Sequence, residues 1–375
     1  MPINEMKTST CETHPSLVAG LVLLAVTTFV PLAHAESQQD MLVFASLSGV
    51  DIFSVSDPAL EETDKRATAS FLYTYNNNRF RFVGEYIWSN TESELERLQA
   101  AWQFDEQTML WAGRFHSVSN FWTTEYHHGQ FMQTSISRPG LEEWEDESGP
   151  MPSHVTGLWL QHKYATGSES AIDFSLAAGL APRFEGQQLM PFDVLNPEPG
   201  HELSVAGRIA YRPDVLSNSQ IGVAIAHHDI AVSSESNPAL ADFNTITQST
   251  FGVFGSWHWK KWVLLGNFVY FDIDLDYVDG GVKDKFLLGY VQAEYAASED
   301  WTVFGRTEFG DGEDNSPYLQ LLPAVVAHRQ MLGVRWDIAD AHALTMEIAD
   351  TSAQGADLSH DHFKEIRLQW SAVFP

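Results

Sequence analysis

The chain has 375 residues, with 50 acidic and 21 basic side chains and a formal net charge of −29 at pH 7. This balance excludes a nucleic-acid-binding protein that neutralises phosphates with a basic face. The composition includes 23 Phe, 12 Trp and 11 Tyr, yet the mean hydropathy is only −0.18. Many aromatic rings in a chain of low hydropathy are typical of a transmembrane β-barrel, which is apolar outside and polar inside.

The first segment of the chain predicts export. Residues 17–30 form an apolar run, and Ala33, His34 and Ala35 make a small-x-small cleavage site. We therefore expect residues 1–35 to be a cleaved signal peptide, with a retained membrane anchor as the alternative. Beyond residue 35 no run of about 18 apolar residues predicts a membrane helix. The single cysteine, Cys11, precedes the apolar run, so the mature chain 36–375 is expected to contain no disulfide.

Beyond residue 40 apolar and polar residues alternate with a period of two. In the last segment Ile366, Leu368 and Trp370 share one face, while Arg367 and Gln369 share the other. This pattern predicts an all-β fold, a transmembrane antiparallel up-and-down β-barrel of about sixteen strands. The predicted strands cover residues 41–48, 67–75, 79–89, 94–104, 107–116, 154–165, 170–181, 201–212, 219–228, 247–259, 262–276, 285–296, 300–309, 326–337, 342–350 and 363–374.

Short and long connections alternate along these strands. Longer ones are predicted near residues 49–66, 90–93, 117–153, 182–200, 229–246, 277–284, 310–325 and 351–362. Bacterial outer-membrane barrels have this asymmetry, with short periplasmic turns and long extracellular loops. Eight tryptophans lie near a short turn or the C-terminus, which predicts a periplasmic aromatic girdle. These are Trp102, Trp111, Trp257, Trp259, Trp262, Trp301, Trp336 and Trp370.

Three stretches of the chain, residues 301–308, 331–337 and 365–374, resemble Gram-negative outer-membrane porins. The resemblance is to the broad group around the phosphate-selective and related sixteen-stranded porins. It implies a passive diffusion channel, usually a homotrimer, with the third long loop folded into the lumen. Family members often end on an aromatic residue, whereas Pro375 follows Phe374 here. The chain also has few wall lysines, so phosphate specificity is not expected.

The strand period also selects residues that face the lumen. An arginine that faces lipid near the midplane costs about 2–4 kcal/mol, so wall arginines are expected to face water. If such arginines face acidic loop residues across the lumen, the two sets of charges would create a transverse electric field that filters solutes by charge. The alternative is that they pair across strands and only solvate the wall. The predicted pore-lining set on the wall is Arg81, Arg97, Arg114, His116, Arg208, Arg306, Glu308, Arg335 and Arg367, and the period also places Asp272 and Asp274 on the inner face.

The connection 117–153 is the candidate constriction loop, because it is longer than ordinary connections. It carries an acidic run around Trp144, made of Glu142, Glu143, Glu145, Asp146 and Glu147. Like charges at this density favour a hydrated, extended segment. Folded inward, the run would favour cations. Left outside, it would bind divalent ions between the phosphates of lipopolysaccharide.

We therefore predict an outer-membrane porin for small hydrophilic solutes or ions, with a preference for cations. Its partners would be outer-membrane lipid, lipopolysaccharide and two further copies of the chain. The alternatives are a barrel enzyme of the phospholipase or protease type and a non-conducting adhesin or structural barrel. Nucleophile and nucleotide motifs are absent from the sequence. The histidine groups 127–128, 227–228 and 360–362 match no defined metal spacing, so no cofactor and no metal site are predicted.

Overall fold

The computed structural model describes residues 37–53, 63–91, 93–126, 131–145, 147–233, 243–278, 280–355 and 360–375. The predicted signal peptide, the histidine pair 127–128 and Asp146 lie outside this described part. Within it, no helix is both long and apolar enough to cross a membrane.

The described residues form eighteen strands, of which sixteen build the wall of a barrel. Each of the sixteen predicted segments lies on one of these wall strands. The wall strands are β1 (Ser37–Phe53), β2 (Thr63–Asn77), β3 (Phe80–Ser89), β4 (Ser93–Gln103), β5 (Thr108–His116), β6 (His154–Ala165), β7 (Ala171–Leu180), β10 (Leu203–Arg212), β11 (Gln220–Ser233), β12 (Phe243–Trp259), β13 (Trp262–Tyr277), β14 (Gly280–Ala296), β15 (Trp301–Asp311), β16 (Ala324–Ala339), β17 (His342–Gly355) and β18 (His360–Phe374).

The remaining elements lie in connections. Strands β8 (Arg183–Glu185) and β9 (Gln188–Met190) form a small hairpin between β7 and β10. A short helix, α1 (Phe121–Tyr126), and a 3₁₀ turn (Gly140–Glu142) lie between β5 and β6. Two further 3₁₀ turns, Glu313–Asn315 and Leu319–Leu321, lie between β15 and β16.

The sheet is antiparallel around the wall and closes on itself. Consecutive wall strands pair with one another, and β7 pairs with β10 across the hairpin connection. The last strand, β18, pairs with β1 from Val43 opposite Phe374 to Phe53 opposite Lys364. Closure removes both sheet edges, which would otherwise leave unpaired backbone groups in lipid.

The outer face of the wall is apolar, as the alternation predicts. On β13, Leu264, Phe268 and Tyr270 are exposed, whereas the alternating Asn267 and Val269 are buried. At the end of the barrel with the short turns, tryptophan rings stand on the outer face: Trp102, Trp257, Trp259, Trp262, Trp301 and Trp336 are all exposed. The prediction for Trp111 is wrong, because its ring is buried and stacks on Trp159 at 6.0 Å.

The wall strands extend further at the long-loop end than the sequence predicts. Most of the predicted loop 277–284 is strand, because β13 runs to Tyr277 and β14 starts at Gly280. The prediction that Asp272 and Asp274 face inward is also wrong. Both are on the outer face, where they pair with Lys285 and Lys283. Charges of this kind are costly in lipid, so these strands continue above the hydrocarbon layer.

Behind these ion pairs, the inner face of the same strands is apolar. We call this cluster the upper core; it contains Phe184, Leu189, Ile230, Ile246, Phe271, Ile273 and Leu275, all buried. Strands β11 to β13 supply the isoleucines and Leu275, and the β8–β9 hairpin supplies Phe184 and Leu189. The hairpin therefore packs against the inner face of the barrel wall.

Candidate functional site

The described residues of the third long loop, 117–126, 131–145 and 147–153, lie in the lumen. We call this loop L3. Its backbone and side chains form hydrogen bonds to β2, β10 and each strand from β12 to β17. A single segment contacts strands on so many sides of a closed barrel only from within it.

Two wall carboxylates hold the backbone of L3. The Ile136 N–H donates to Glu347 Oε2 at 2.9 Å, and the Ser137 N–H donates to Oε1 of the same carboxylate at 3.1 Å. Farther along, the Gly140 N–H donates to Glu308 Oε2 at 2.7 Å. Both carboxylates are buried. Hydrogen bonds to ionised groups are stronger than neutral ones, so these contacts fix the position of the loop.

Wall arginines bind the carbonyl groups of the same segment. The Arg306 guanidinium donates to Ser137 O at 3.0 Å and to Arg138 O at 2.9 Å. Arg329 also donates to Arg138 O, at 2.9 Å, and Arg335 donates to Gln133 O at 2.7 Å. The structure thus brings the predicted Arg306, Glu308 and Arg335 together. Sequence reasoning missed Arg329, although the period that places Arg335 on the inner face places Arg329 there too.

The acidic run of L3 differs from the predicted hydrated, extended segment. Glu142 is fully buried in a 3₁₀ turn and accepts a hydrogen bond from Asn267 Nδ2 at 2.5 Å. Burial raises the pKa of Glu142 to about 7, and hydrogen bonds from Asn267 and the backbone oppose that rise. Glu145 is also buried and accepts from the backbone N–H groups of Ser153 and His154. The prediction of hydration is therefore wrong for these two residues, because L3 folds back on itself and on the wall.

The other two described acids of the run are partly exposed. Glu147 Oε1 lies 2.7 Å from Arg66 Nη1 of β2, so this end of L3 reaches the opposite side of the lumen. Burial, and secondarily the charge of Glu147, raises the pKa of Glu143. Trp144 lies between these two residues in the sequence, and the centroid of its ring is 3.5 Å from the Arg138 guanidinium carbon.

The remaining predicted lumen residues lie on the wall, and most have a carboxylate partner. Arg97 pairs with Glu85, Arg114 with Glu94, Arg208 with Glu125 of α1, and Arg367 with Glu365. Arg81 instead donates to Asn76 and Gln103. His116 is buried beside Glu96. Two of these pairs, those of Arg97 and Arg114, join neighbouring strands as in the alternative interpretation, whereas Arg208 pairs with the loop and Arg367 with a residue of its own strand.

A cavity of about 420 Å³ lies between α1 and the wall strands β4 to β11. Its lining combines amide groups, both signs of charge and the Trp159 ring. The polar residues that line it include Gln103, Gln161, Lys163, Asp173, Arg208, Arg212 and Gln220. Asp173 accepts a hydrogen bond from Arg212 at 2.6 Å, so one wall charge pair lies within the cavity.

The described loop histidines do not gather into one site. His227 is exposed and contacts Ser249, whereas His228 is buried and contacts Ser204. Adjacent histidines of this strand thus face opposite sides, as the period of a strand requires. Ser117 and Ser119, next to His116, form a hydrogen bond to each other at 2.9 Å.

No protein-family model matches the sequence, and no curated protein matches it. Among solved structures, the chain is similar to an anion-selective porin from Comamonas acidovorans, with a TM-score of 0.61, 12% identity, and coverage of 90% of this chain and 100% of that chain. It is also similar to the outer membrane channel DcaP of Acinetobacter baumannii, with a TM-score of 0.58, 10% identity, and coverage of 90% and 97%. The corresponding values for OmpF of Salmonella typhi, solved with daunomycin, are 0.58, 10%, 92% and 100%. At these identities the likeness shows the fold, which is that of outer-membrane porins.

Proposed function

We propose that the protein is an outer-membrane porin of a Gram-negative bacterium, a water-filled channel for passive diffusion of small hydrophilic solutes. One observation carries this proposal: a closed sixteen-stranded barrel has an apolar outer belt and holds a long loop against its inner wall. A barrel of this circumference leaves more interior than wall side chains fill. A loop bonded inside narrows that interior. In this interpretation three copies associate through their apolar outer faces.

The cavity beneath L3 is the proposed solute route on the short-turn side. Its amide, guanidinium and carboxylate groups replace part of the hydration of a polar solute. Most wall arginines in the described part of the chain are already bonded to carboxylates, which leaves few guanidinium groups for phosphate there. This pairing supports general diffusion rather than phosphate selection.

We further propose a moderate preference for cations. Two carboxylates of L3, Glu143 and Glu147, remain partly exposed to the lumen, and of these Glu147 also pairs with Arg66 of the wall. A local negative potential raises the cation concentration within about a Debye length, ~8 Å at physiological salt. Glu142 contributes less near neutral pH, since burial raises its pKa to about 7.

Planar-bilayer recording tests both levels of the proposal. The purified full-length barrel should give discrete conductance steps, and a KCl gradient at 0.1 M should give a reversal potential of the sign for cations. The double variant Glu143→Gln/Glu147→Gln should shift that potential towards anions. The matched control Asp229→Asn/Asp311→Asn, which neutralises acids near the long-loop ends of β11 and β15, should shift it less. Absence of conductance steps would refute the channel, whereas steps with an anion-type potential would refute only the cation preference.

A further inference from the structure

Three strands at the base of L3 bring two imidazoles and a carboxylate together. His116 is the last residue of β5, His154 is the first residue of β6, and the two face each other in the ladder. Glu96 Oε2 of β4 lies 2.8 Å from His154 Nε2 and 3.7 Å from His116 Nε2. The three ligand atoms all lie within 4.8 Å of one another. The three side chains are buried.

We propose that Glu96, His116 and His154 form a binding site for a divalent transition-metal ion, with zinc as the reference ion. Two imidazole nitrogens and one carboxylate oxygen are ligands of this ion class, and zinc binds them at about 2.0–2.2 Å. Ligand atoms of a tetrahedral site are then roughly 3.3–3.6 Å apart. The two distances from Glu96 to the imidazole nitrogens, 2.8 and 3.7 Å, lie on either side of that range. An ion between the three groups therefore requires only small movements.

The residues around His154 place its ring as a metal ligand requires. His154 Nδ1 lies 2.9 Å from Glu145 Oε1, a buried acceptor that also receives two backbone N–H groups. Trp144 stacks on the imidazole at a centroid distance of 5.3 Å and an angle of 11°. Metal-bound histidines typically donate their second nitrogen to a carboxylate in this way. With the proton on Nδ1, the Nε2 lone pair points at an oxygen of Glu96, and a cation between them satisfies both.

The nearby positive charges have their own partners. Three guanidinium groups act on Glu96, those of Arg97, Arg114 and Arg138. Arg97 pairs with Glu85 and Arg114 pairs with Glu94, while Arg138 lies over the Trp144 ring and has Glu143 as the carboxylate that acts on it most strongly. Glu96 and Glu145 therefore remain as two buried carboxylates beside two imidazoles, which balances the charge of a divalent cation.

A bound ion would join the two ends of L3 to the wall. L3 begins immediately after His116 and ends immediately before His154, while Glu96 belongs to the neighbouring strand. The ion would therefore act as a structural clamp at the base of the loop. The sequence prediction of no metal site missed this arrangement, because strand pairing joins residues that are far apart in the chain.

Zinc titration of the full-length barrel tests the proposal. After dialysis against EDTA, the folded protein in detergent should bind one zinc ion per chain in competition with a chromogenic chelator. His116→Gln should weaken binding roughly 10- to 100-fold, and the positioning variant Glu145→Gln should weaken it by about 10-fold or more. His227→Gln, a control at an exposed histidine on another strand, should leave the affinity unchanged. Equal zinc binding by the wild type and His116→Gln would overturn the proposal.

Cobalt provides a readout that needs no variant. Co²⁺ bound by two imidazoles and a carboxylate in a four-coordinate site should give intense visible absorption that zinc displaces. If the wild-type spectrum stays that of the aqueous ion, the three side chains hold no metal, and the proposal is overturned even if His116→Gln fails to fold. Heat-modifiable migration on gels identifies which variants are folded.

Discussion

The attachment of L3 to the wall depends strongly on one carboxylate, Glu347. Replacing Glu347 with Ala removes the acceptor of two backbone N–H groups, those of Ile136 and Ser137, without altering the loop itself. The matched control is Asp350→Asn on the same strand. Asp350 lies on the exposed outer side, where it is 3.9 Å from Lys364.

The magnitude follows from these contacts. A hydrogen bond to a charged group contributes roughly 1.5–3 kcal/mol, and both donors are buried. Taking the lower figure for each bond, Glu347→Ala should favour local opening of this segment by about 3 kcal/mol, on the order of 100-fold. The loss should stay local, because Arg306 and Arg335 still bind neighbouring carbonyls of L3.

Hydrogen–deuterium exchange measures this opening directly. The amides of Ile136 and Ser137 should exchange on the order of 100-fold faster in Glu347→Ala than in wild type, and at the wild-type rate in Asp350→Asn. In bilayers the same variant should give a noisier open-channel current. If exchange at these two amides is unchanged, L3 is not anchored by Glu347 and the contacts described above do not hold it.

Three further predictions concern orientation, assembly and pH. Maleimide should label Gln187→Cys at the hairpin tip from outside intact cells but not Ala297→Cys at a short turn; equal labelling would refute the assignment of the two ends. Phe374→Ala should reduce the heat-modifiable folded form because it weakens the closing strand pair, whereas deletion of Pro375 should not; the opposite result would contradict the role of the terminal aromatic. The raised pKa of Glu142 means that the folded state binds the proton of this side chain more tightly than the unfolded state. The free energy of unfolding should therefore fall as the pH rises from about 4.5 to 7. In urea-unfolding measurements, Glu142→Gln should remove that part of the pH dependence.

The strand pattern was predictable because two solvents act on the wall. Where lipid contacts one face and polar groups fill the other, the residue types must alternate, as on β18 with Leu368 outside and Gln369 buried. Above the membrane water replaces lipid at the outer face, so alternation no longer indicates which residues face inward. On β13 the alternation inverts beyond Tyr270, because water contacts Asp272 outside while Ile273 packs against loops inside.

Local irregularities account for another failure. In the β3–β4 ladder Glu85 pairs with Arg97 and Tyr86 pairs with Leu95, which leaves Glu96 as an extra residue. Such a bulge re-aims a side chain, so counting by twos gives no indication that Glu96 is a buried lumen-side group. A bulge depends on the partner strand as well as on its own sequence.

The acidic run shows why burial in L3 was not predictable. Charge density alone favours hydration, and nothing near Glu142 in sequence identifies Asn267 as its partner. Likewise, the L3 residues that donate to Glu347 are more than two hundred positions away in the chain. Only the closed barrel brings these groups together.

The upper core has a consequence for how this barrel comes apart. Its side chains pack against other protein groups, and the wall around them lies above the hydrocarbon layer, in water. Urea therefore acts on the upper core as on the interior of a soluble domain. The part of the wall below it, with the apolar outer face, is additionally stabilised by the surrounding lipid. The hairpin, the 3₁₀ turns and the ends of β11 to β13 should therefore melt as a separate cooperative unit at lower denaturant than the membrane-embedded wall, so that a single unfolding midpoint would not describe the protein.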